Sequence, residues 1–374
     1  MPTADWAARA AAAERAVRSR HVQRALALPG TAVAVLSWPP SPRHRLFLGW
    51  NYWWQAHLLD CLTDAQLRDP QPDRKQLIGR VARGIRLLNA GRWRNDYYDD
   101  MAWLALALER ADRHIGTDHR RAIRRLTGEI LLAWSEAEGG GIPWRRGDEF
   151  KNTPANGPAA ILLARTGQLD RAVLAADWID RRLRDPATGL IWDGLRPGPV
   201  TATGQPTTVF ETTIYTYCQG VVLGAELELL GRLRSAHPES AGRLRRLVAA
   251  VDRHLTIDGV LTGHQGGDSG LFTGVLARYL TAVAAELPGA TAADRQLRSR
   301  ATEMIMTSAS AAWSNALLIH DLPVFGPDWT APAVNPAAGG PERDLSVQLS
   351  GWMLMEAAAA LAGRPTDPLP QDVG

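Results

Sequence analysis

Asp99 and Asp100 stand side by side in NDYYDDMAWLALALER (95–110), behind Tyr97 and Tyr98 and ahead of an apolar run that reads as a buried helix. Taking one carboxylate out of water is costly, and two like charges in contact cost more. Two readings of the pair stand at this point. It is an acidic first turn beside an N-cap, which the helix dipole favours. Alternatively it is a working pair, one carboxylate ionised as nucleophile or base and the other protonated as acid. A helix N-terminus favours ionisation, while a close like charge raises the pKa of one member, so an adjacent pair at a helix start meets both conditions.

Other chemistries lack their residues. Asp99-Asp100-Met101-Ala102-Trp103 has no further carboxylate to complete a DDxxD magnesium site. His57, His264 and His320 are too dispersed for a zinc site, and Cys61 and Cys218 form neither a disulfide framework nor zinc spacing. HQGGDSG (264–270) is glycine-rich but has no P-loop lysine and no preceding strand; it reads as a helix start with close backbone approach. There is no G-x-S-x-G elbow. Neither metal nor cofactor is expected.

The remaining polar-aromatic stretches are GWNYWWQAH (49–57), FKNTPANGP (150–158), IWDG (191–194) and TIYTYCQG (213–220). With HQGGDSG and the aspartate pair they supply Trp53, Trp54, Tyr97, Tyr98, Asn152, Asn156, Gln219 and Asp268 as candidate contacts for a polar ligand. Fourteen tryptophans are many for this length, and Trp beside Asn, Asp and Tyr suits stacking on sugar rings as well as core packing. Trp50, Trp53, Trp54 and Trp144 are open between those two roles. Trp103, Trp134, Trp178 and Trp352 are expected in the core, and His57 in structural hydrogen bonding.

These stretches need elements that bring them together. Helical periodicity runs nearly throughout and strand signals are sparse. The pattern predicts helices at 4–28, 51–68, 72–89, 99–114, 117–136, 154–166, 169–184, 218–233, 238–254, 268–286, 292–310 and 345–362. Odd members such as DRKQLIGRVARGIRLLNA and ESAGRLRRLVAAVDRHL have a charged face, whereas even members such as TPANGPAAILLARTG and LSVQLSGWMLMEAAAALAG are apolar nearly all round. All-round apolar helices are buried and amphipathic ones lie outside. Six of each, alternating, predict an all-α fold, an (α/α)6 barrel of six inner and six outer helices, in a single domain over 1–374. A solenoid would show a sequence repeat, and none is found. The polar-aromatic stretches precede or open inner helices, so they converge on one end of the barrel. The proline- and glycine-rich segment 321–344 is expected as a long connection into the last inner helix.

The composition, 45% hydrophobic and 22% charged, with 42 basic against 39 acidic residues, is that of an ordinary globular protein. Basic runs such as RRAIRR (120–125) read as solvated helix faces, so no nucleic-acid partner is expected. No stretch approaches 18 uninterrupted apolar residues, so no membrane span is expected. The N-terminal MPTADWAARAAAAERAVRSRH carries charge throughout and lacks an apolar core followed by a cleavage site, so a cytoplasmic location is expected.

Over about 45–355 the chain resembles the family 76 glycoside hydrolases, the α-1,6-mannanase family. The matching stretches are FLGWNYWWQAH, NDYYDDMAWLALALERA, GGIPWRRGDEFKNTPANGPAAILLAR, IWDGL, YTYCQG and GHQGGDSGLFTGVLARYL. The resemblance implies an (α/α)6 barrel and a retaining mechanism acting on an α-mannoside oligosaccharide or polysaccharide. Asp99 would be the nucleophile and Asp100 the general acid and then base. Asp193 would lie in the glycone subsite, and Tyr217, Gln219, Asn152 and Asn156 match further family positions. Cys218 stands where the family usually has Asn. Transglycosylation to a sugar acceptor is the alternative use of the same pair; a non-catalytic carbohydrate-binding barrel is a third reading, against which both intact aspartates argue.

Overall fold

The computed structural model describes residues 5–364. The predicted start of the first helix at Ala4, and the ends of the predicted domain at 1–4 and 365–374, lie outside the described residues. Beside a single helical turn at Pro42–Arg45, twelve longer helices build the fold of the described residues: α1 (Trp6–His21), α2 (Tyr52–Arg68), α3 (Pro72–Leu88), α4 (Tyr98–Ile115), α5 (Arg120–Leu132), α6 (Thr153–Arg165), α7 (Leu169–Leu183), α8 (Thr216–Leu233), α9 (Glu239–His254), α10 (Phe272–Glu286), α11 (Ala292–Ser314) and α12 (Leu345–Ala362). Each even helix packs on the next even helix, and α12 returns to α2, which closes an inner ring of six. The odd helices lie outside it. The architecture is the (α/α)6 barrel that the alternation predicts.

The local reasons are ordinary ones. Outer helices bury one stripe: Leu77, Ile78, Val81, Ala82 and Ile85 of α3, or Leu244, Leu247, Val248 and Val251 of α9. Helix starts carry the expected devices. Asp5 accepts the Ala8 N–H at 2.9 Å, Asn152 accepts the Ala155 N–H ahead of Pro154, and Thr291 with Asp294 forms a capping box. Inner helices approach closely through glycine: a Cβ on Gly157 would meet Val221 of α8 at 2.3 Å, and one on Gly274 would meet Ser350 of α12 at 2.6 Å. α12 is the one described helix long and apolar enough to cross a membrane. Here 78% of it is buried as an inner stave of the barrel.

An electrostatic clasp joins the two ends of the ring. Glu14 of α1 is 3% exposed and receives Arg74 of α3 at 2.7 and 2.9 Å, Arg68 of α2 at 3.1 Å and Arg18 at 2.9 Å. Arg68 also reaches Glu356 of α12 at 2.9 Å.

The structure departs from the predicted elements at several places, among them two short hairpins, Thr256–Ile257 with Val260–Leu261 and Leu317–Ile319 with Leu322–Val324, and α11, which runs to Ser314 instead of 310. The first helix stops at His21, where the chain enters a short antiparallel pair, Val22–Gln23 with Val33–Ala34, instead of running to 28. The helix predicted over 117–136 contracts to 120–132. The one predicted from 268 begins as a 3-10 turn, Gly267–Leu271, where Gly266 passes so close to Pro341 and Asp344 that a Cβ would meet them at 2.6 and 2.7 Å, and Gly267 takes a φ of +65°. A three-stranded antiparallel sheet, β1 (Lys151–Asn152), β2 (Trp192–Pro197) and β3 (Thr208–Ile214), was not anticipated. β1 is two residues long, and the β2–β3 hairpin is half-buried or exposed over most of its length, so no in–out alternation announces the pairing.

Candidate active site

The N-terminal ends of α4, α6, α8 and α10 meet at one end of the barrel with the β1–β3 sheet. Together with α2 they enclose a cleft of ≈ 300 Å³ lined by Trp53, Asp99, Trp103, Trp144, Phe150, Asn152, Asp193, Tyr215, Tyr217, Asp268 and Phe272. One side is an aromatic stack: Tyr217 lies on Phe272 with centroids 3.9 Å apart, and Trp53 is 6.3 Å from Tyr217. This is a surface on which a sugar's apolar face could rest, beside carboxylates that could take its hydroxyls.

Asp99 and Asp100 occupy the first turn of α4. Asp99 Oδ1 accepts the Asp100 N–H at 2.9 Å, and its Oδ2 accepts the indole N–H of Trp144 at 3.0 Å. Asp100 Oδ2 accepts the Asn95 amide at 2.6 Å, and Asn95 Oδ1 in turn accepts the Tyr97 N–H, which fixes the amide's orientation. Burial pushes both carboxyls up. The donors around Asp99 partly offset this and leave it at about 6. Asp100 is raised well above the ordinary range by burial and by the charge of Asp99. The two members are therefore pushed apart, with Asp99 the one that ionises first. The Asn95 amide and the backbone N–H of Trp53 are the donors that hold the Asp100 carboxyl.

Two more carboxylates face the cleft. Asp193, on β2, has a buried Oδ1 with no hydrogen-bond partner among the described residues. Burial first, then Glu211 and Asp99, push it up to about 7. Asp268, in the turn before α10, is held by three donors on Oδ1: Trp54 at 2.9 Å, Trp53 at 3.1 Å and Asn51 at 3.2 Å. The turn is braced from the far side by Asp344, which accepts the Gly267 N–H at 2.8 Å, and by Ser346, which donates to Gly267 O at 2.6 Å.

Of the residues anticipated from sequence, Trp53, Asp99, Asn152, Asp193, Tyr217 and Asp268 line the cleft. Trp54 is buried and serves Asp268. Tyr97 stands at the rim against Trp144, and Tyr98 is buried under Arg146. Asn156 and Gln219 are corrections. Both are 0% exposed, and neither reaches the cleft. Asn156 braces Ile142 through its N–H (2.8 Å) and O (2.9 Å), and Asn152 O at 2.8 Å. Gln219 does the same for Ile191 (2.8 and 2.9 Å) and for Tyr215 O at 2.9 Å. Both amides hold incoming loops against inner helices. Replacing Asn156 by Ala should lower stability by about 1–3 kcal/mol, the cost of orphaned buried groups, read as a lower urea midpoint with unchanged slope. Weakened ligand binding at unchanged stability would contradict this placement. Lys151 is likewise structural, donating to Ser135, Ala137 and Gly140 carbonyls at 2.9, 2.6 and 2.6 Å.

Residues not anticipated at the site are Trp103, expected in the core, and Phe150, Tyr215 and Phe272. Trp103 follows Asp99 by one helical turn on the same face, the available clue. The hydrogen bonding expected of His57 is absent: its ring nitrogens have no partner among the described residues. It packs instead against Trp103 (4.6 Å) and Trp53 (5.5 Å), and burial pushes it down to about 3, hence neutral. Among the described residues no group of His, Cys, Asp and Glu is arranged to hold a metal ion. Cys218 is fully buried in α8 as a packed thiol.

Residues 7–364 match the profile of Glycosyl hydrolase family 76. Among solved structures, the chain is 27% identical to the α-1,6-mannanase of Salegentibacter sp. HEL1_6, solved as an inactive variant at two adjacent aspartates in complex with α-1,6-mannotriose. The TM-score is 0.82, and the match covers 96% of this chain and 100% of that one. It is 25% identical to the Lin0763 protein of Listeria innocua, TM-score 0.80, covering 96% and 98% of the two chains. A family 76 mannosidase of Bacteroides thetaiotaomicron shares the fold at 16% identity, TM-score 0.75, covering 96% and 99%. No curated protein matches by sequence.

Proposed function

Because the chain belongs to glycosyl hydrolase family 76 and is a mannan-active glycoside hydrolase, we propose that it cleaves α-1,6-mannosidic linkages with retention of anomeric configuration. The observation that carries the proposal is the adjacent Asp99–Asp100 pair, tuned apart at the edge of an aromatic cleft. The Salegentibacter neighbour supports it, being an α-1,6-mannanase inactivated at two adjacent aspartates while still holding its oligosaccharide.

In this reading Asp99, ionised, attacks the anomeric carbon, and the C1–oxygen bond breaks as Asp100 gives its proton to the leaving oxygen. Asp100, now ionised, then takes a proton from water, which opens the glycosyl–Asp99 ester and restores both groups. Trp53, Tyr217 and Phe272 supply the stacking face. The partnerless Oδ1 of Asp193 takes a sugar hydroxyl, which relieves a buried acceptor that the protein leaves unmet.

Activity then requires Asp99 charged and Asp100 neutral. The expected kcat/KM profile is a bell whose acid limb falls near pH 6, where Asp99 takes up its proton, and whose alkaline limb follows the loss of the proton from Asp100. An activity that keeps rising through alkaline pH would count against Asp100 as the acid. Linkage is tested with α-1,6-, α-1,2- and α-1,3-mannobiose supplied separately. Preferential cleavage of the α-1,6 compound is expected; equal cleavage, or preference for another linkage, overturns the assignment.

A further inference from the structure

We propose that Trp144 is the positioning residue of the nucleophilic carboxylate, its indole N–H fixing the plane in which Asp99 meets the sugar. The proposal rests on reading Asp99 as the nucleophile. Both Asp99 oxygens have an N–H donor, the backbone of Asp100 on Oδ1 and Trp144 on Oδ2, and Asp99's own backbone N–H adds to the hold on the carboxylate. Two donors on different oxygens stop the carboxylate from rotating and leave a lone pair on each for attack. That is the kind of restraint that keeps reacting atoms in a near-attack arrangement. The Asp100 N–H belongs to the same helical turn and comes with the backbone. The indole is the donor that a side chain must bring from elsewhere.

The protein holds that side chain firmly. Trp144 N donates to Phe150 O at 2.7 Å, and Trp144 O accepts the Tyr98 N–H at 2.9 Å, so the tryptophan is laced to the start of the helix that carries the aspartates. Its ring meets Tyr97 edge to face at 5.2 Å, and the Arg145 guanidinium sits 5.7 Å from its centroid. Asn156 fixes the loop one step earlier at Ile142. A stacking platform for sugar would need none of these constraints on the nitrogen. A donor aimed at one oxygen needs all of them.

The test is Trp144→Phe, which keeps an aromatic ring between Tyr97 and Arg145 and removes the donor together with the second ring of the indole. Two readouts are taken on the full protein labelled with ¹³Cγ-aspartate, the Asp99 signal being assigned with Asp99→Asn. The Asp99 titration should move upward by about one pH unit, because the donor favoured the ionised form. The acid limb of kcat/KM should follow it, with kcat lower by about tenfold to a hundredfold, the range for a hydrogen bond to a charged group, and KM little changed. An unmoved Asp99 titration overturns the proposal. So does a rise in KM at constant kcat, which marks a platform. An Asp99 signal that moves while the activity profile stays in place overturns the catalytic role and places the fault in the reading of Asp99 as nucleophile.

Discussion

Asp99→Asn is expected to abolish turnover of α-1,6-manno-oligosaccharides, and Asp100→Asn to reduce it by about 10²–10⁴-fold, with helical content unchanged in both. The two losses should differ in kind. Asp100 gives a proton to the leaving oxygen, so a mannoside whose aryloxide leaves without help should regain most of the lost rate in Asp100→Asn. No leaving group compensates for a missing nucleophile, so Asp99→Asn should stay inactive toward the same compound. Asparagine is the right probe because each aspartate's shape is retained while the charge of Asp99 or the transferable proton of Asp100 is removed. Asp100 is still protonated where Asp99 ionises, so Asp100→Asn should leave the acid limb near pH 6 and remove the alkaline limb. Equal inactivity of both variants toward the activated compound would remove the division of roles. Retained activity in either toward the natural linkage would remove its role altogether.

The second large effect concerns the fold. Glu14→Ala should destabilise the protein by about 3–5 kcal/mol, the range found when one partner of a buried ion pair is removed. Arg74, 4% exposed, would be left buried beside Arg68 and Arg18 without their shared carboxylate. Because Glu14 joins α1 to α2 and α3, and Arg68 carries the contact on to Glu356 of α12, the loss falls on the seam where the ring closes. Urea unfolding should show the lower midpoint, while kcat/KM of the folded fraction at moderate temperature stays near the original, since the clasp touches no cleft residue. A midpoint within about 1 kcal/mol of the original would place Glu14 with ordinary surface pairs.

What the chain discloses before folding follows from the range of the forces involved. Barrel and ring order are legible because burial acts along each helix. The apolar surfaces of α6 and α12 and the one-sided stripes of α3 and α9 are local patterns. The aspartate pair is legible because like charges at the start of an apolar helix need a reason. The clasp is not legible, since Glu14 meets Arg68 and Arg74 across 54 and 60 residues of chain. The β2–β3 hairpin, which presents Asp193, gives little sign in sequence because its strands are half-buried or exposed over most of their length and show no in–out alternation. Asn156 and Gln219 misled because an amide at the start of an inner helix can turn toward the cavity or toward a loop. Only the packed loops at Ile142 and Ile191 decide between these. Trp103 misled in the opposite sense: an apolar residue in a buried helix reads as core, yet its position one turn below Asp99 puts it on the cleft wall.

The central claim is tested most directly by ¹H NMR of the first minutes of α-1,6-mannotetraose cleavage, before mutarotation mixes the anomers. Hydrolysis through a glycosyl–Asp99 intermediate predicts that the new reducing end appears first as the α-anomer and only later drifts toward equilibrium. A β-anomer at the outset would mean direct attack by water and would contradict Asp99 as the nucleophile; no cleavage by folded protein would contradict the α-1,6-mannoside assignment itself.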